Sequence, residues 1–161
     1  WVFIYFFTKD RILKNPHNDA ITIHEGQAIG PLVGGNLSLI TNLIGTPYDI
    51  DFKDRIVFIE EVDEDPYRID RMFSQLRLSG KLQDAKGFVF GHFTDCVSKD
   101  KPHSQTYDDL IDEYFRDLPI PMMKNFNCGH DFPFINLPIG LKVKLDTKQK
   151  EIKILEEIYK A

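Results

Sequence analysis

The segment from Arg55 to Gly80 constrains the fold more than any other part of the chain. It opens with a continuous apolar run, Ile56 to Ile59, which is typical of a strand buried on both faces. Two carboxylates, Glu60 and Glu61, follow at once, and a helix is predicted after a short acidic loop. Open α/β sheets place their chemistry where a strand ends and a helix begins. Glu60 is therefore a candidate functional residue, whereas we expect Glu61 to be a solvated acid at the strand end.

Capping residues predict three helices in the middle of the chain. Each predicted helix has a polar capping residue at its start and apolar residues at helical spacing, and glycines follow the first two. The predicted caps are Asn36, Asp65 followed by Pro66, and Thr106, which forms a capping box with Asp109. The two glycines before Asn36 fit either a structural turn or a close approach to an anion at the helix start.

Strand patterns alternate with these helices and predict a mixed α/β domain. One predicted strand is interrupted by Gly30-Pro31, and another is bounded by glycines. Residues 1 to 13 fit either a strand or a helix. The other predicted strands are Ile21–His24, Gln27–Val33, Gly87–Phe93, a strand from Pro121 to near Cys128-Gly129-His130, and a hairpin of Gly140–Leu145 with Glu151–Leu155.

Composition excludes several classes of function. The net charge of −5 is spread over interspersed acidic and basic residues without a Lys/Arg stripe, which argues against nucleic-acid binding. Cys96 and Cys128 are too few for a disulfide framework and lack metal-ligand spacing, so no metal or other cofactor is predicted. We expect both thiols to be small buried groups in a reducing, intracellular setting.

The chain begins with an unusual apolar run, Trp1 to Phe7. The run is far shorter than the ~20 residues that cross a bilayer, and it lacks the features of a signal peptide. We expect it to be covered by another part of a longer protein. We therefore assign residues 1–19 to a connection with a missing domain and residues 20–161 to the domain itself.

Among the five histidines, His130 stands at the position most typical of a functional residue. It follows Gly129 at a predicted strand end, as Glu60 follows a strand. A Glu and a His at two strand ends can form the orienting carboxylate and the base of a hydrolase. We expect His17 and His103 to face solvent, and His24 and His92 to lie within strands.

The nucleophile of such a hydrolase is not evident in the chain. No serine lies in a G-x-S-x-G turn, and Cys128 is too close in sequence to His130 for the usual thiolate–imidazole geometry. The residues alone thus predict two members of a catalytic triad. The serines are Ser38, Ser74, Ser79, Ser98 and Ser104.

Six ordered motifs resemble one known family. Between about residues 20 and 157 they are similar to the C-terminal domain of the LD-carboxypeptidases, serine peptidases that trim murein peptides. The motifs are Gly30–Leu37, Gly45–Tyr48, Ile56–Val62, Pro66–Arg71, Gly129-His130 and Leu137–Gly140.

The resemblance implies a fold, an activity and a division of the site. The fold would be a layered β/β/α domain of the swivelling type. Glu60 and His130 would be the catalytic carboxylate and base, with Glu61 as the alternative carboxylate, and the serine would belong to a missing N-terminal domain. The complete protein would be a cytoplasmic homodimer that needs no metal and releases D-alanine from murein tetrapeptides. The chain alone would be inactive.

Two alternatives to this function remain open. The same family contains the microcin C self-immunity peptidases, which cleave an aminoacyl-nucleotide analogue. The helix that begins Tyr67-Arg68-Ile69-Asp70-Arg71 resembles the murein-peptide branch more closely. The other alternative is an inactive fragment that serves as a peptide-binding or dimerisation module.

Overall fold

The computed structural model describes residues 10–98 and 104–157. These residues form eight strands and four helices. The strands are β1 Ile12–Lys14, β2 Ile21–His24, β3 Gln27–Asn36, β4 Ile56–Val62, β5 Gly87–Thr94, β6 Met122–Lys124, β7 Lys142–Asp146 and β8 Glu151–Ile154. The helices are α1 Leu37–Leu43, α2 Pro66–Leu78, α3 Lys81–Asp84 and α4 Tyr107–Phe115.

The strands are hydrogen-bonded in the order β1-β8-β7-β3-β4-β5-β6-β2. The four strands from β3 to β6 run parallel to one another, and the remaining pairings are antiparallel. A parallel core needs crossover connections, and α2 with α3 supplies the one between β4 and β5. The result is a mixed sheet with antiparallel strands at both ends.

Strand β3 joins the parallel and antiparallel parts of the sheet. Its first half, Gln27 to Pro31, pairs with β7, and its second half, Leu32 to Asn36, pairs with β4. The predicted interruption at Gly30-Pro31 is therefore wrong, because the strand continues and only its partner changes. Proline lacks an N–H for the ladder, and Pro31 lies at the point where the ladder changes sides.

Alternation along β4 creates two cores, one on each face of the parallel sheet. Val57 and Ile59 are fully buried on the side of the helices, where they join Phe73 of α2. Ile56 and Phe58 are buried on the other side, in a core shared with β1, β7 and β8. The three layers are thus strands, strands and helices, and the predicted β/β/α fold class is confirmed.

The predicted starts of all three helices are confirmed, with side-chain capping bonds at Asn36 and Thr106, whereas the Asp65 side chain makes no capping bond. The Asn36 side chain accepts a hydrogen bond from the backbone N–H of Leu39 at 3.1 Å. Helix α2 has Pro66 in its first turn after Asp65. The Thr106 hydroxyl and the Asp109 carboxylate form both bonds of the capping box of α4. The predicted C-terminal hairpin is also present, as β7 and β8.

Two strand predictions need revision or extension. Strand β6 ends at Lys124, well before Gly129, because Asn125 takes a φ of +57° and the chain then leaves the ladder. Within the segment 1–19, residues Ile12 to Lys14 form β1 and pair with β8, which settles that part of the open choice in favour of a strand. The apolar run Trp1 to Phe7 lies outside the described residues.

Gly34 is the glycine whose substitution should be most damaging to the sheet. Its φ is +124°, and a Cβ there would lie 1.9 Å from the carbonyl oxygen of Phe58 on β4. We predict that Gly34→Ala lowers the free energy of unfolding by about 3 kcal/mol or more, because backbone on two paired strands would have to separate. Chemical denaturation of the purified protein measures this change.

Gly35→Ala is the matched control for this prediction. Gly35 has a φ of +151° but open space where its Cβ would lie. Its substitution should cost only the backbone term, about 1–2 kcal/mol. Equal losses for the two variants would contradict the close approach at Gly34.

Candidate active site

Glu60 stands at the carboxyl end of the central strand β4. The strand alternation puts its side chain on the face of Ile56 and Phe58, away from the helices. The Glu60 side chain is only 6% exposed, and its Oε2 lies 2.7 Å from Nδ1 of His130. An ionised carboxylate only accepts hydrogen bonds, so Nδ1 carries a proton and its N–H donates a hydrogen bond to Glu60.

His130 presents its other ring nitrogen outward. The imidazole side chain is 55% exposed even though its carboxylate partner is buried. Because Glu60 occupies Nδ1, Nε2 is the nitrogen left to meet a reacting group. This arrangement of a buried orienting carboxylate and an exposed base matches the two-residue half of a nucleophilic triad.

Gly129 makes the approach of His130 to Glu60 possible. Its φ of +132° lies in the region that disfavours other residues. A Cβ at this position would lie 3.3 Å from Oε2 of Glu60 and 3.4 Å from the Cβ of His92. The glycine thus lets the backbone pass between these two side chains and turn the next residue onto the carboxylate.

Strand β5 guides the chain to this point after β6 has ended. The backbone N–H of Phe126 donates to the carbonyl of Phe90 at 3.0 Å, and that of His92 donates to the carbonyl of Cys128 at 2.8 Å. Between these bonds Gly91 lies against the passing chain, where a Cβ would be 2.3 Å from the Cys128 oxygen. The two hydrogen bonds position the residues immediately before Gly129.

Glu61 is a buried structural carboxylate, so the prediction of a solvated acid is wrong. It is 2% exposed and accepts four hydrogen bonds of 2.6–2.9 Å. The donors are the Asn36 amide, the backbone N–H and hydroxyl of Ser38, and the N–H of Val62. Glu61 faces the helix layer and secures the start of α1, while Glu60 faces His130.

The start of α1 is occupied by this internal anion. The Glu61 carboxylate accepts from the Ser38 amide there, where the sequence allowed an external anion. The predicted turn at the two glycines is wrong, because Gly34 and Gly35 lie in strand β3 and pair with Phe58 and Ile59 of β4. Adjacent acids on one strand point to opposite faces and so acquire different partners.

Among the other described histidines, His92 lies close to the Glu60–His130 pair, which we call the dyad. His17 is exposed, as predicted, and Nε2 of His24 lies 2.7 Å from the carbonyl oxygen of Arg116. His92 lies on β5 as predicted, beside Gly129, with its Nδ1 buried and without a hydrogen-bond partner. His103 lies outside the described residues.

A cleft of about 380 Å³ opens next to the dyad, and sequence reasoning missed it. It lies at the carboxyl ends of β5 and β6, where His92 and Asp131 contribute to its wall. Lys124 and Asp108 also line it and form an ion pair of 2.6 Å. No local pattern marks these residues, because strands β5 and β6, helix α4 and the loop after His130 bring them together.

Within the described residues, no serine or cysteine serves as the third member of a triad with Glu60 and His130. Within residues 10–98 and 104–157, no serine is hydrogen-bonded to His130. Burial, with a smaller contribution from the Glu60 charge, raises the pKa of the Cys128 thiol to about 12. Burial likewise raises the pKa of Cys96 to about 11. Both thiols are protonated near neutral pH, as expected of inert groups.

The described residues were also compared with the requirements of a metal site and of a membrane-spanning helix. In the described part of the chain, no group of three or more His, Cys, Asp or Glu side chains is arranged to hold a metal ion. Of the four helices found there, none has the length and apolar character needed to span a membrane.

Known proteins resemble this chain in sequence and in fold. A family model described as the LD-carboxypeptidase C-terminal domain matches residues 29–145. The probable murein peptide carboxypeptidase of Bacillus subtilis (strain 168) is 42% identical over 125 residues, which is 78% of this chain and 39% of that protein. The microcin C7 self-immunity protein MccF of Escherichia coli is 28% identical over 144 residues, 87% of this chain and 40% of that protein.

Solved structures of two proteins share the fold over most of this chain. The muramoyltetrapeptide carboxypeptidase of Oxalobacter formigenes matches 97% of this chain and 54% of its own, with a TM-score of 0.80 and 27% identity. MccF in complex with aspartyl sulfamoyl adenosine matches 89% of this chain and 42% of its own, with a TM-score of 0.76 and 25% identity. The chain spans about two fifths of the length of the curated relatives it matches.

The structural role of Glu61 leads to a stability prediction. Glu61→Gln should lower the free energy of unfolding by about 2 kcal/mol, because an amide NH₂ would face donors that the carboxylate now satisfies. The same substitution at Glu64 is the control, since its ion pair of 3.3 Å with the exposed Arg68 should contribute little. Denaturant unfolding of both variants checks this, and equal stabilities would contradict the role of Glu61.

The raised pKa values predict slow alkylation of both cysteines. With a pKa of about 12, Cys128 carries roughly a thousandfold less thiolate at pH 7 than a cysteine with a pKa of 9. Iodoacetamide labelling followed by mass spectrometry should therefore be slow at pH 7 and accelerate about tenfold for each pH unit up to the pKa. Rapid labelling of folded protein at pH 7, at a rate like that of the urea-denatured control, would contradict the prediction.

Proposed function

The chain belongs to the LD-carboxypeptidase family, whose C-terminal domain it carries, and from this premise we propose that it supplies the Glu/His half of a serine carboxypeptidase. The single observation that carries the proposal is the 2.7 Å contact between buried Glu60 and half-exposed His130. In this role Glu60 fixes the imidazole tautomer and stabilises the imidazolium, while Nε2 of His130 acts as the base.

The nucleophilic serine is proposed to lie on a domain upstream of residue 20 in the complete protein. The chain spans about two fifths of its curated relatives, which leaves room for a further domain. We call this the serine-bearing domain, and we expect it also to hold the amides that stabilise the oxyanion. The described residues alone would bind or orient but would not hydrolyse.

The proposed reaction is hydrolysis of an amide between an L- and a D-amino acid. The serine oxygen attacks the carbonyl carbon, and its proton passes to Nε2 of His130. When the carbon–nitrogen bond breaks, His130 returns the proton to the leaving amine of D-alanine. A water molecule then gives a proton to His130 and attacks the acyl ester; as the ester bond breaks, His130 returns that proton to the serine oxygen, which releases the shortened peptide and restores the serine. Every proton transfer uses the same exposed nitrogen.

A murein tetrapeptide is the proposed substrate, and D-alanine the product. The support comes from the names of the relatives, a probable murein peptide carboxypeptidase at 42% identity and a muramoyltetrapeptide carboxypeptidase structure with a TM-score of 0.80. The accompanying proposals are a homodimer that needs no metal and acts in the cytoplasm during cell-wall recycling.

The alternative function is that of a microcin C immunity-type peptidase. MccF aligns with 87% of this chain, and its structure in complex with aspartyl sulfamoyl adenosine has a TM-score of 0.76. Both substrates could be processed by the same dyad, because each presents an acyl group to the serine. Parallel assays with a tetrapeptide and with an aminoacyl sulfamoyl adenosine separate the two functions.

Substitution of the dyad tests the proposed function in the full-length protein. Glu60→Gln and His130→Ala should each lower kcat for D-alanine release by roughly 10³–10⁴-fold with little change in KM, because the base loses its orientation and charge or is removed. Both variants should remain folded. D-alanine release from tetrapeptides containing L-Lys or diaminopimelate is measured by a coupled oxidase assay.

Glu64→Gln provides the matched control, because Glu64 is an acid in the loop directly after β4 that pairs with Arg68 at the surface. It should retain the activity of the unmodified protein. Full activity in His130→Ala would eliminate the triad assignment. An inactive, correctly folded full-length protein that still binds tetrapeptide would instead favour the binding-module alternative.

A further inference from the structure

A pair of exposed aromatic side chains follows His130 directly. Phe132 is 82% exposed and Phe134 is 50% exposed, and their ring centroids lie 5.0 Å apart. We call these two residues the aromatic pair. Among the ten phenylalanines in the described residues, seven are buried in the cores. Two adjacent exposed phenylalanine rings beside a candidate active site are typical of a contact surface.

The loop that carries the aromatic pair is held at both ends. At its start, His130 is bonded to buried Glu60. At its end, the N–H of Ile135 donates to the carbonyl of Asn127 at 2.5 Å, and the Ile135 side chain packs against the core between the strand layers. Asn127 is buried, and its own N–H donates to the side chain of Asn15 at 2.8 Å. The aromatic pair is therefore presented at a fixed position.

The geometry of the dyad restricts what can cover this pair. A serine oxygen must come within about 3 Å of Nε2 of His130 to give up its proton. Phe132 and Phe134 lie two and four residues further on, so their Cα atoms are at most about 7 Å and 14 Å from that of His130. A folded domain that brings a serine to this nitrogen has to lie over the same surface.

We propose that the aromatic pair is the docking contact for the serine-bearing domain. This inference rests on the proposed function, and it goes beyond that function by naming the surface that aligns the two halves of the site. The matching surface on the serine-bearing domain is apolar and lies beside its nucleophile. Contact with the rings removes them from water and sets the height of the serine above Nε2.

A second copy of this chain does not fit this surface. A protomer seated on Phe132 and Phe134 would cover His130, and the serine could then not reach Nε2. The proposal therefore commits to the serine-bearing domain, and contact with another copy is an outcome that would overturn it.

Photocrosslinking in the full-length protein tests the contact directly. Phe132 is replaced by p-benzoylphenylalanine, the protein is irradiated, and the crosslinked peptides are mapped by mass spectrometry. We expect an intramolecular crosslink to a peptide of the serine-bearing domain, outside residues 1–161. A crosslink between two chains, a crosslink confined to residues 1–161, or no crosslink would overturn the proposal.

Leu78 is the matched control position, because it is 84% exposed and apolar. It ends α2, whose 13 residues extend about 20 Å within the helix layer, on the face of the sheet opposite to the Glu60 side chain. The same photoreactive residue at Leu78 should give no crosslink to the peptides that Phe132 captures. Identical crosslinks from both positions would show nonspecific capture and overturn the assignment.

Kinetics add a second readout. Phe132→Ala combined with Phe134→Ala should lower kcat/KM by roughly tenfold or more while unfolding midpoints stay unchanged, whereas Leu78→Ala should leave kcat/KM unchanged. Unaltered kcat/KM in the double variant would overturn the proposal. Failure of the proposed function is seen separately, as full activity in Glu60→Gln and His130→Ala whatever the crosslinks show.

Discussion

Burial of β4 on both faces is the constraint on which the rest of the structure depends. Its apolar residues occupy two cores, and the strand then continues into Glu60 and Glu61, which are buried at 5% and 2% exposure. Alternation sends these acids in opposite directions, so each must find its own partners. Glu61 accepts hydrogen bonds from Ser38 at the start of α1, on the helix side. Glu60 is hydrogen-bonded to His130 on the other side, and this bond fixes the position of the imidazole that can act as a base.

The path of the chain after β6 follows from this arrangement. His130 reaches Glu60 only because the residues before it run along β5 and because Gly129 passes between Glu60 and His92. The close approach at Gly91 has the same cause, since a side chain there would collide with the carbonyl of Cys128. The backbone geometry around the dyad is therefore set by glycines on two separate segments.

The sequence predicted the elements governed by local physics. The caps at Asn36 and Thr106 satisfy backbone groups within a few residues, so their patterns are visible in the chain. Glu60 and His130 were found because functional residues gather at strand ends, and the resemblance to a family specified which ones. The contact between them is confirmed by the structure, while their catalytic role stays a prediction.

The remaining features depend on contacts between distant segments, which no short pattern reveals. The continuity of β3 through Pro31 depends on β7, more than a hundred residues further on. The burial of Glu61 depends on Ser38, 23 residues before it, and an acid beside a loop otherwise looks solvated. The cleft beside His92 is assembled from strands β2, β5 and β6, helix α4 and the loop after His130. Tertiary pairing decided each of these cases against the local expectation.

Glu60 and Glu61 differ in how many hydrogen bonds compensate their burial, and this difference favours a functional role for Glu60. Glu61 has four donors, as a buried carboxylate needs, and its role is explained by the fold alone. For Glu60, the hydrogen bonds of the described residues provide one partner, an imidazole that is half exposed. Burying a charge with so little compensation costs stability, and an apolar residue would serve the core between the strand layers better. This cost is explained if Glu60 orients His130 and stabilises its protonated form. That role needs a carboxylate shielded from water at Nδ1 of the imidazole and an Nε2 that a reacting group can reach.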